Sequence, residues 1–194
     1  MKRSVSHLTN ADYHRSSRGN CHELKYCRTG VWREVEGMVS SMRIALGSDH
    51  AGYDLKTLLA SSLFEWGYEV LDLGTTDAST SVDYPDFGAA VGRSVVSGDA
   101  DLGVAICGSG IGISIAANKV VGVRAAVVHD VTSAHLAREH NHANVLCLGS
   151  RLTGAAVATE ALEAWLNATP LSGRHEARIT KLDALDQSLV HDER

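Results

Sequence analysis

The sequence predicts an α/β protein, namely a three-layer α/β/α, Rossmann-like domain built around a five-stranded parallel sheet. Short, almost continuously apolar runs alternate five times with segments whose apolar residues recur at helical spacing. The runs lack the in–out alternation of a half-exposed strand, so helices should cover both faces of the sheet. The chain has 194 residues, 44% hydrophobic and 21% charged, which is enough for one domain of ordinary size.

The first half of the pattern contains two strands and two helices. A short apolar run ending in glycine predicts a strand at 43–47, and the segment 51–67 predicts a helix that ends at Gly67. Five side chains recur on one face of this helix: Leu55, Leu58, Leu59, Leu63 and Trp66. A second strand follows at 68–74, and a polar loop then leads to a helix at 87–96.

The second half of the chain continues the alternation. Its strands are predicted at 101–107, 122–128 and 143–149. Its helices are predicted directly after the glycine-rich loop that follows the third strand, and at 132–140, 153–168 and 174–189. Ligands in open parallel sheets bind at the carboxyl ends of the strands. The polar groups of interest are therefore expected at that edge or in a closing helix.

Residues 1–41 differ in character from the rest of the chain. They carry seven Lys and Arg against four Asp and Glu, so they are net positive while the remainder is net negative. The segment is polar and aperiodic, which predicts a disordered extension, a tag or an over-long gene start before one domain at 42–190. Cys21, His22 and Cys27 suggest a metal site, but their spacing matches no known zinc motif and favours incidental residues in a tail.

Composition and charge argue against several classes of function. The formal net charge of −5 disfavours broad binding to nucleic acids or anionic membranes. No apolar run approaches the roughly 20 residues of a membrane span, and no signal-peptide core is recognisable. The four cysteines form no CxxC pair, which is typical of a reduced, cytoplasmic compartment.

The sequence "CGSGIG" at 107–112 joins the third strand to a helix. It departs from the GxGxxG dinucleotide motif, from the P-loop and from the GxSxG nucleophile elbow. Its backbone N–H groups can face an anion, although a tight turn without function is the alternative. Cys107 is either a base or nucleophile at the strand end or an ordinary buried thiol, whereas Cys147 is expected to be simply buried.

Two pairs of polar residues adjoin predicted strands. Asp49 and His50 follow the first strand, where they could cap the next helix or serve acid–base chemistry and hydroxyl recognition. His140 and Asn141 end the helix before the fifth strand, where they could cap that helix or contact a ligand. Spacing alone decides neither the role of His140 nor that of Asn141.

Three arginines in the last third of the chain could bind an anion. Arg174 and Arg178 are four residues apart and therefore share one helical face, which suits two guanidinium groups converging on a phosphate. Arg151, after the fifth strand, could join them. A solvated basic face is the alternative. The Tyr-Pro sequence within 82–88 indicates a turn.

Taken together, these motifs resemble those of the type B ribose-5-phosphate isomerase family, which includes allose- and galactose-6-phosphate isomerases. The matching stretches, in order, are "SDHAGYDLK", "DYPDF", "ICGSGIGISIAANK", "REHNHANVLCLGSR" and "GRHEARI". The resemblance covers about residues 42–186. It implies a sheet of order 2-1-3-5-4 or similar, a homodimer or dimer of dimers with active sites between subunits, and neither metal nor cofactor.

The resemblance also implies roles for individual residues. Cys107 would move a proton between C1 and C2 of the sugar through a cis-enediolate, assisted by the hydroxyl of Ser109. The oxyanion would be held by the backbone amides of Gly108, Ser109, Gly110, Ile111 and Gly112. His140 would open the furanose ring, with Asp49 assisting. The remaining contacts to the sugar and its phosphate would come from Asp49, His50, Asn141, Arg151, Arg174 and Arg178.

The resulting hypothesis is interconversion of ribose 5-phosphate and ribulose 5-phosphate, a step of the pentose phosphate pathway. The same chemistry on allose 6-phosphate, galactose 6-phosphate or a tetrulose phosphate is the close alternative. A nucleotide-binding module would instead show altered melting with NAD or ATP, and the broken GxGxxG pattern argues against it. A cysteine hydrolase using Cys107 and His140 would form an acyl-enzyme.

Overall fold

Five strands form a single parallel sheet in the structure, a computed structural model that describes residues 41–191 and their side chains to residue 186. The strands are Arg43–Ser48 (β1), Glu69–Asp72 (β2), Leu102–Cys107 (β3), Ala125–Val127 (β4) and Val145–Gly149 (β5). Their order in the sheet is β2-β1-β3-β5-β4, and each neighbouring pair is parallel. This is the strand order that the family resemblance implied.

Helices cover both faces of the sheet. Within the described range they are Tyr53–Glu65 (α1), Tyr84–Ser97 (α2), Ile111–Ala117 (α3), Val131–Asn141 (α4), Ala155–Asn167 (α5) and Arg174–His191 (α6). One apolar core packs α1, α4 and α5 against one face and contains the fully buried Trp165. A second core packs α2 and α3 against the other face. The predicted three-layer α/β/α fold class is therefore confirmed.

The predictions for the first 41 residues fall almost entirely outside the described range, and so do Cys21, His22 and Cys27. The compact unit that contains the sheet starts at Ser41, one residue before the predicted boundary. Among the helices of the described residues, none combines the length and the apolar character that a membrane crossing requires.

Most element boundaries agree with the sequence pattern, but two differ for identifiable reasons. Gly67 adopts a left-handed conformation (φ +85°) just past the end of α1, as predicted. In contrast, the predicted turn around Tyr84 is the first turn of α2, because Pro85 stands at the helix start, where its missing N–H costs nothing. β4 is only three residues long, although the apolar run there predicted a strand at 122–128.

The side chain of Asn118 forms hydrogen bonds with the open edge of β4. Its Nδ2 donates to the carbonyl oxygen of Ala125 at 2.9 Å, and its Oδ1 accepts from the N–H of the same residue at 2.8 Å. The neighbouring residue Arg124 presents its carbonyl to the fifth strand, since the N–H of Asn144 donates to it at 3.1 Å. The backbone N–H and C=O of Ala125 therefore point away from β5, toward the open edge of the sheet. Asn118 supplies the two hydrogen-bond partners that a further strand would supply.

α2 packs closely against the middle of the sheet because two strand residues facing it are glycines. A Cβ built on Gly47 would lie 2.6 Å from a methyl group of Val91, and one built on Gly103 would lie 2.5 Å from the other methyl group. Val91 itself is completely buried. The helix can approach this closely only because β1 and β3 carry no side chain at these points.

Gly103→Ala is therefore expected to destabilise the fold by about 1–3 kcal/mol, because the added methyl group overpacks a full core. The measurement is the denaturant midpoint of unfolding, with Val91→Ala and the double variant as controls. Val91→Ala removes the methyl groups that the new Cβ would meet, so Gly103→Ala should cost much less in that background. Equal costs in both backgrounds would show that the contact with Val91 is not the cause.

Candidate active site

Cys107 ends the central strand β3, and its side chain is 4% exposed. The backbone N–H of Gly110 turns back and donates to the Cys107 Sγ at 3.2 Å. Gly110 is left-handed (φ +77°), and a Cβ there would lie 2.9 Å from the carbonyl carbon of Leu148. Position 110 therefore requires glycine, because its backbone is left-handed and a Cβ would clash with β5. The resulting turn holds the Cys107 sulfur at the start of the glycine loop.

Three side chains line the glycine loop that follows Cys107. The hydroxyl of Ser109 accepts a hydrogen bond from the N–H of Ile111 at 3.3 Å. The guanidinium of Arg151 lies over Gly108, about 3.3 Å from where a Cβ of that glycine would stand. The ring of Tyr84 lies 2.6 Å from the corresponding position on Gly112. The loop is therefore bordered by a hydroxyl, a cation and an aromatic ring.

Asp49 and His50 lie beside this loop at the end of the adjacent strand β1. The carboxylate of Asp49 accepts from the N–H of Gly52 at 3.0 Å, and its own N–H donates to the carbonyl of Ile106 at 3.3 Å. The Nδ1 of His50 accepts from the N–H of Val82 at 3.2 Å. Since Nδ1 accepts, the ring proton of the neutral imidazole is on Nε2, which remains available as a donor.

His140 and Asn141 lie at the opposite edge of the sheet. They end α4, and three residues later the carbonyl of Asn144 accepts from the N–H of Gly103 at 2.9 Å, near the amino end of β3. The expectation that the polar groups gather at the carboxyl edge or in closing helices is therefore wrong for this pair. A helix that follows a parallel strand runs back along the sheet and ends at its amino edge.

The start of α6 packs against His140. The rings of His140 and His175 are stacked with centroids 4.3 Å apart and planes 20° apart. The Nε of Arg174 donates to the Nε2 of His175 at 3.2 Å. Arg174 and Arg178 are exposed, so two guanidinium groups and two imidazoles form a basic cluster at the amino edge.

The pKa of His175 is lowered from its ordinary value of 6.5, first by burial and then by the neighbouring charges of His140, Arg174 and Arg178. His175 is only 7% exposed. A group with a lowered folded pKa stabilises the fold fully above its unfolded pKa, and that contribution is lost as the pH falls through the folded value. The packing of α6 on α4 should therefore weaken below about pH 6.5.

His175→Phe keeps an aromatic ring beside His140 but removes the titrating group. Amide exchange protection of the first turns of α6 should fall between pH 7 and pH 5 in the natural chain and fall less in His175→Phe. An equal loss of protection in both proteins would exclude His175 as the source of the pH dependence.

The two groups of site residues cannot meet within one chain. Cys107, Ser109, Asp49 and His50 adjoin the carboxyl ends of the strands, and Arg151 joins them. Gly103 and Cys107 are four positions apart, about 13 Å along an extended strand, and His140 lies beyond the Gly103 end. The structure thus divides the predicted site into two parts. The thiol half consists of Asp49, His50, Cys107, Ser109 and Arg151. The basic half consists of His140, Asn141, Arg174, His175 and Arg178.

Sequence reasoning missed Tyr84 and His175 as members of the two halves. Tyr84 belongs to a stretch interpreted as a turn, and only the packing of α2 brings its ring onto Gly112. His175 stands between the two predicted arginines, at a helix position whose burial depends on the stack with His140. A helical projection of 174–178 places His175 off the face that carries the two arginines. This position is the one feature of the sequence that indicates a buried His175.

Cys147 lies on β5, beside the strand that carries Cys107, and is fully buried. Burial, and secondarily the nearby Cys107, raise the pKa of the Cys147 thiol far above its ordinary range. Cys147 therefore remains a protonated core residue, in agreement with its predicted role. Among the side chains that the structure describes, no three His, Cys, Asp or Glu residues are grouped to hold a metal ion.

A doubly wound parallel sheet with a thiol and a glycine loop at the switch point between β1 and β3 places the chain among the Rossmann-like α/β proteins. More specifically, the chain belongs to the ribose/galactose isomerase family, whose model matches residues 44–182.

Individual relatives agree with this assignment. Ribose-5-phosphate isomerase B of Escherichia coli is 45% identical over 145 residues, which cover 75% of this chain and 97% of that protein. The solved Clostridium thermocellum ribose-5-phosphate isomerase B is 49% identical with a TM-score of 0.75, covering 76% of this chain and 99% of the other. The Mycoplasma genitalium enzyme, solved with bound ribulose 5-phosphate, is 40% identical with a TM-score of 0.73, covering 76% and 97%.

Proposed function

We propose that the chain is an aldose–ketose isomerase that interconverts D-ribose 5-phosphate and D-ribulose 5-phosphate. The observation that carries the proposal is the position of the Cys107 sulfur, which ends the central strand under the N–H of Gly110. Membership of the isomerase family supports the reaction class. The relative with bound ribulose 5-phosphate supports the choice of sugar.

Cys107 acts as the base in this mechanism. Its thiolate removes the proton from C2 of the open-chain aldose, and the electron pair of that bond forms the C1–C2 double bond of a cis-enediolate. The thiol then returns the proton to C1, while the hydroxyl of Ser109 helps to move a proton from O2 to O1. The carbonyl group has then moved from C1 to C2, and no external oxidant or reductant is consumed.

Backbone N–H groups of the glycine loop stabilise the enediolate oxygen. Two of the five amides are already engaged, since that of Gly110 donates to sulfur and that of Ile111 donates to the Ser109 hydroxyl. The N–H groups of Gly108, Ser109 and Gly112 therefore suit the oxyanion better than those two. Their positions are fixed by the left-handed Gly110 and do not need to reorganise during the reaction.

The active site is completed by a second copy of the chain. The basic half at the amino edge contains His140 for ring opening, Asn141 for a sugar contact, and Arg174 and Arg178 for the phosphate. Because these groups lie beyond the far end of β3 from Cys107, we infer a homodimer or dimer of dimers in which one subunit's basic half faces its partner's thiol half. Asp49 then assists His140 across the interface.

Exposed apolar side chains beside the loop support this arrangement. Ile111 and Ile115 on α3 are 53% and 55% exposed, and Tyr84 at the loop is 41% exposed. Such a patch next to an incomplete site suits coverage by a second subunit. His50 and Arg151 would hold the phosphate from the thiol half, opposite the two arginines of the second copy.

A panel of aldose phosphates assayed with the purified protein tests the substrate. Ribose 5-phosphate should be turned over with the highest kcat/KM, and allose 6-phosphate and galactose 6-phosphate much less efficiently. Turnover of a hexose phosphate without turnover of ribose 5-phosphate would reassign the substrate within the family. Absence of isomerisation on every aldose phosphate would contradict the proposed reaction class.

We further propose that residues 42–190 form one sugar-phosphate isomerase domain that works in the cytoplasm. The family match at 44–182 and the compact unit starting at Ser41 support the domain limits. A base that acts as a thiolate must stay reduced, and a reducing compartment keeps Cys107 in that form.

A further inference from the structure

The loop between β2 and α2, residues 73–83, crosses the carboxyl edge of the sheet beside His50 and is anchored at its start. The N–H of Thr75 donates to the carbonyl of Ser48 at 3.0 Å. Lys56, only 3% exposed, donates to the carbonyl of Thr75 at 3.0 Å and to the carboxylate of Asp72 at 2.6 and 2.8 Å. The entry to the loop is therefore fixed by an ion pair in which Lys56 is buried and Asp72 is half exposed, and by two contacts to backbone carbonyls.

Asp77 organises the middle of the loop. One carboxylate oxygen accepts from the N–H of Ser79 at 2.7 Å, from the N–H of Thr80 at 2.7 Å, and from the hydroxyl of Ser79 at 2.8 Å. These bonds, led by that from Thr80, lower the pKa of Asp77 to about 2. The carboxylate is therefore ionised at neutral pH and accepts these three hydrogen bonds as an anion.

The exit of the loop reaches His50 of the thiol half and Gly112 of the glycine loop. Val82 donates its N–H to the Nδ1 of His50 at 3.2 Å. Two residues later Tyr84 begins α2, and its ring lies against Gly112 of the glycine loop. The segment that follows the Asp77 turn therefore contacts both the imidazole of His50 and Gly112 of the glycine loop.

We propose that Asp77 is a positioning residue for substrate binding, acting through Val82 on His50. The turn closed by Asp77 holds the Val82 N–H against Nδ1, and this contact directs the Nε2–H of His50 outward as a fixed donor to the substrate's phosphate. Without the turn, the imidazole of His50 rotates freely and exchanges tautomers. Substrate binding must then order the ring, and this ordering weakens the affinity. The part that concerns phosphate rests on the proposed isomerase function.

Asp77→Ala tests the proposal, with Asp77→Asn and Ser81→Ala as matched controls. Asp77→Ala should raise KM for ribose 5-phosphate about tenfold and leave kcat within about twofold, since a hydrogen bond to a charged group is lost from binding. Asp77→Asn keeps an acceptor oxygen for the same N–H groups and should restore KM. Ser81→Ala shortens an exposed side chain of the same loop and should match the natural chain.

Amide hydrogen exchange at Val82 in the protein without substrate provides a second, independent readout. Protection of the Val82 N–H should be lost in Asp77→Ala and retained in both controls. Unchanged protection in Asp77→Ala overturns the proposal, and so does an unchanged KM or a fall in kcat alone. If the natural chain does not isomerise ribose 5-phosphate, the proposed function fails, while the exchange measurement still decides whether Asp77 controls the contact with His50.

Discussion

Cys107→Ala is expected to lower kcat for ribose 5-phosphate isomerisation by about 10²- to 10⁴-fold, the contribution typical of a positioned base. Alanine cannot accept the C2 proton, and no other described thiol stands at the glycine loop. Stability should fall by only about 1–2 kcal/mol, because a small buried group and one hydrogen bond from Gly110 are lost. Steady-state kinetics and denaturant unfolding on the same preparation separate the two effects.

Cys147→Ala is the matched control for that experiment. It makes the same chemical change on the neighbouring strand, at a fully buried thiol whose pKa is raised far above its ordinary range. It should change stability by a similar amount and leave kcat close to that of the natural chain. Near-normal turnover in Cys107→Ala, or an equal loss in Cys147→Ala, would remove Cys107 from its assigned role as base.

Two inactive variants, Cys107→Ala and His140→Ala, are expected to recover activity when their subunits are allowed to exchange. If each site combines the thiol half of one chain with the basic half of another, a mixed dimer contains one doubly damaged site and one intact site. With random pairing, about a quarter of all sites are intact, so about a quarter of the natural activity should return. Co-expression or joint refolding followed by an assay measures the recovery.

A mixture of Cys107→Ala with Cys107→Ser is the control for subunit exchange, because both lesions lie in the same half and no pairing restores a thiol. This mixture should stay inactive. If the Cys107→Ala and His140→Ala mixture also stays inactive while native mass spectrometry shows mixed dimers, the division of the site between two chains is wrong.

Much of the fold was predictable because apolar runs mark buried parallel strands directly. The runs containing Val104 and Leu146 became the fully buried β3 and β5, since a strand covered on both faces has no reason to alternate. The length of the edge strand β4 was harder to predict, because an apolar run indicates which residues are buried but not where backbone pairing with the next strand ends. The helix start at Tyr84 was missed because Pro85 indicates a turn and a helix N-terminus equally well.

The candidate site was only partly predictable, for a geometrical reason. Cys107 and His50 could be assigned to the carboxyl edge from their positions after strands. His140 lies in the last turn of the helix before β5, so the alternation itself places it at the amino edge, and the division of the site could have been deduced from connectivity alone. The contacts of Val82 and Tyr84 were beyond sequence reasoning, because they depend on the path of the 73–83 loop.

The hydrogen bonds of Asn118 to Ala125 have a consequence for how the molecule avoids aggregation. An unpaired edge strand is a template on which other chains can add by backbone pairing, and proteins block such edges in several ways. Here a single carboxamide occupies both backbone groups of Ala125 on a strand of three residues. Association through this edge would require breaking two hydrogen bonds, so Asn118 disfavours the addition of another chain's strand to β4.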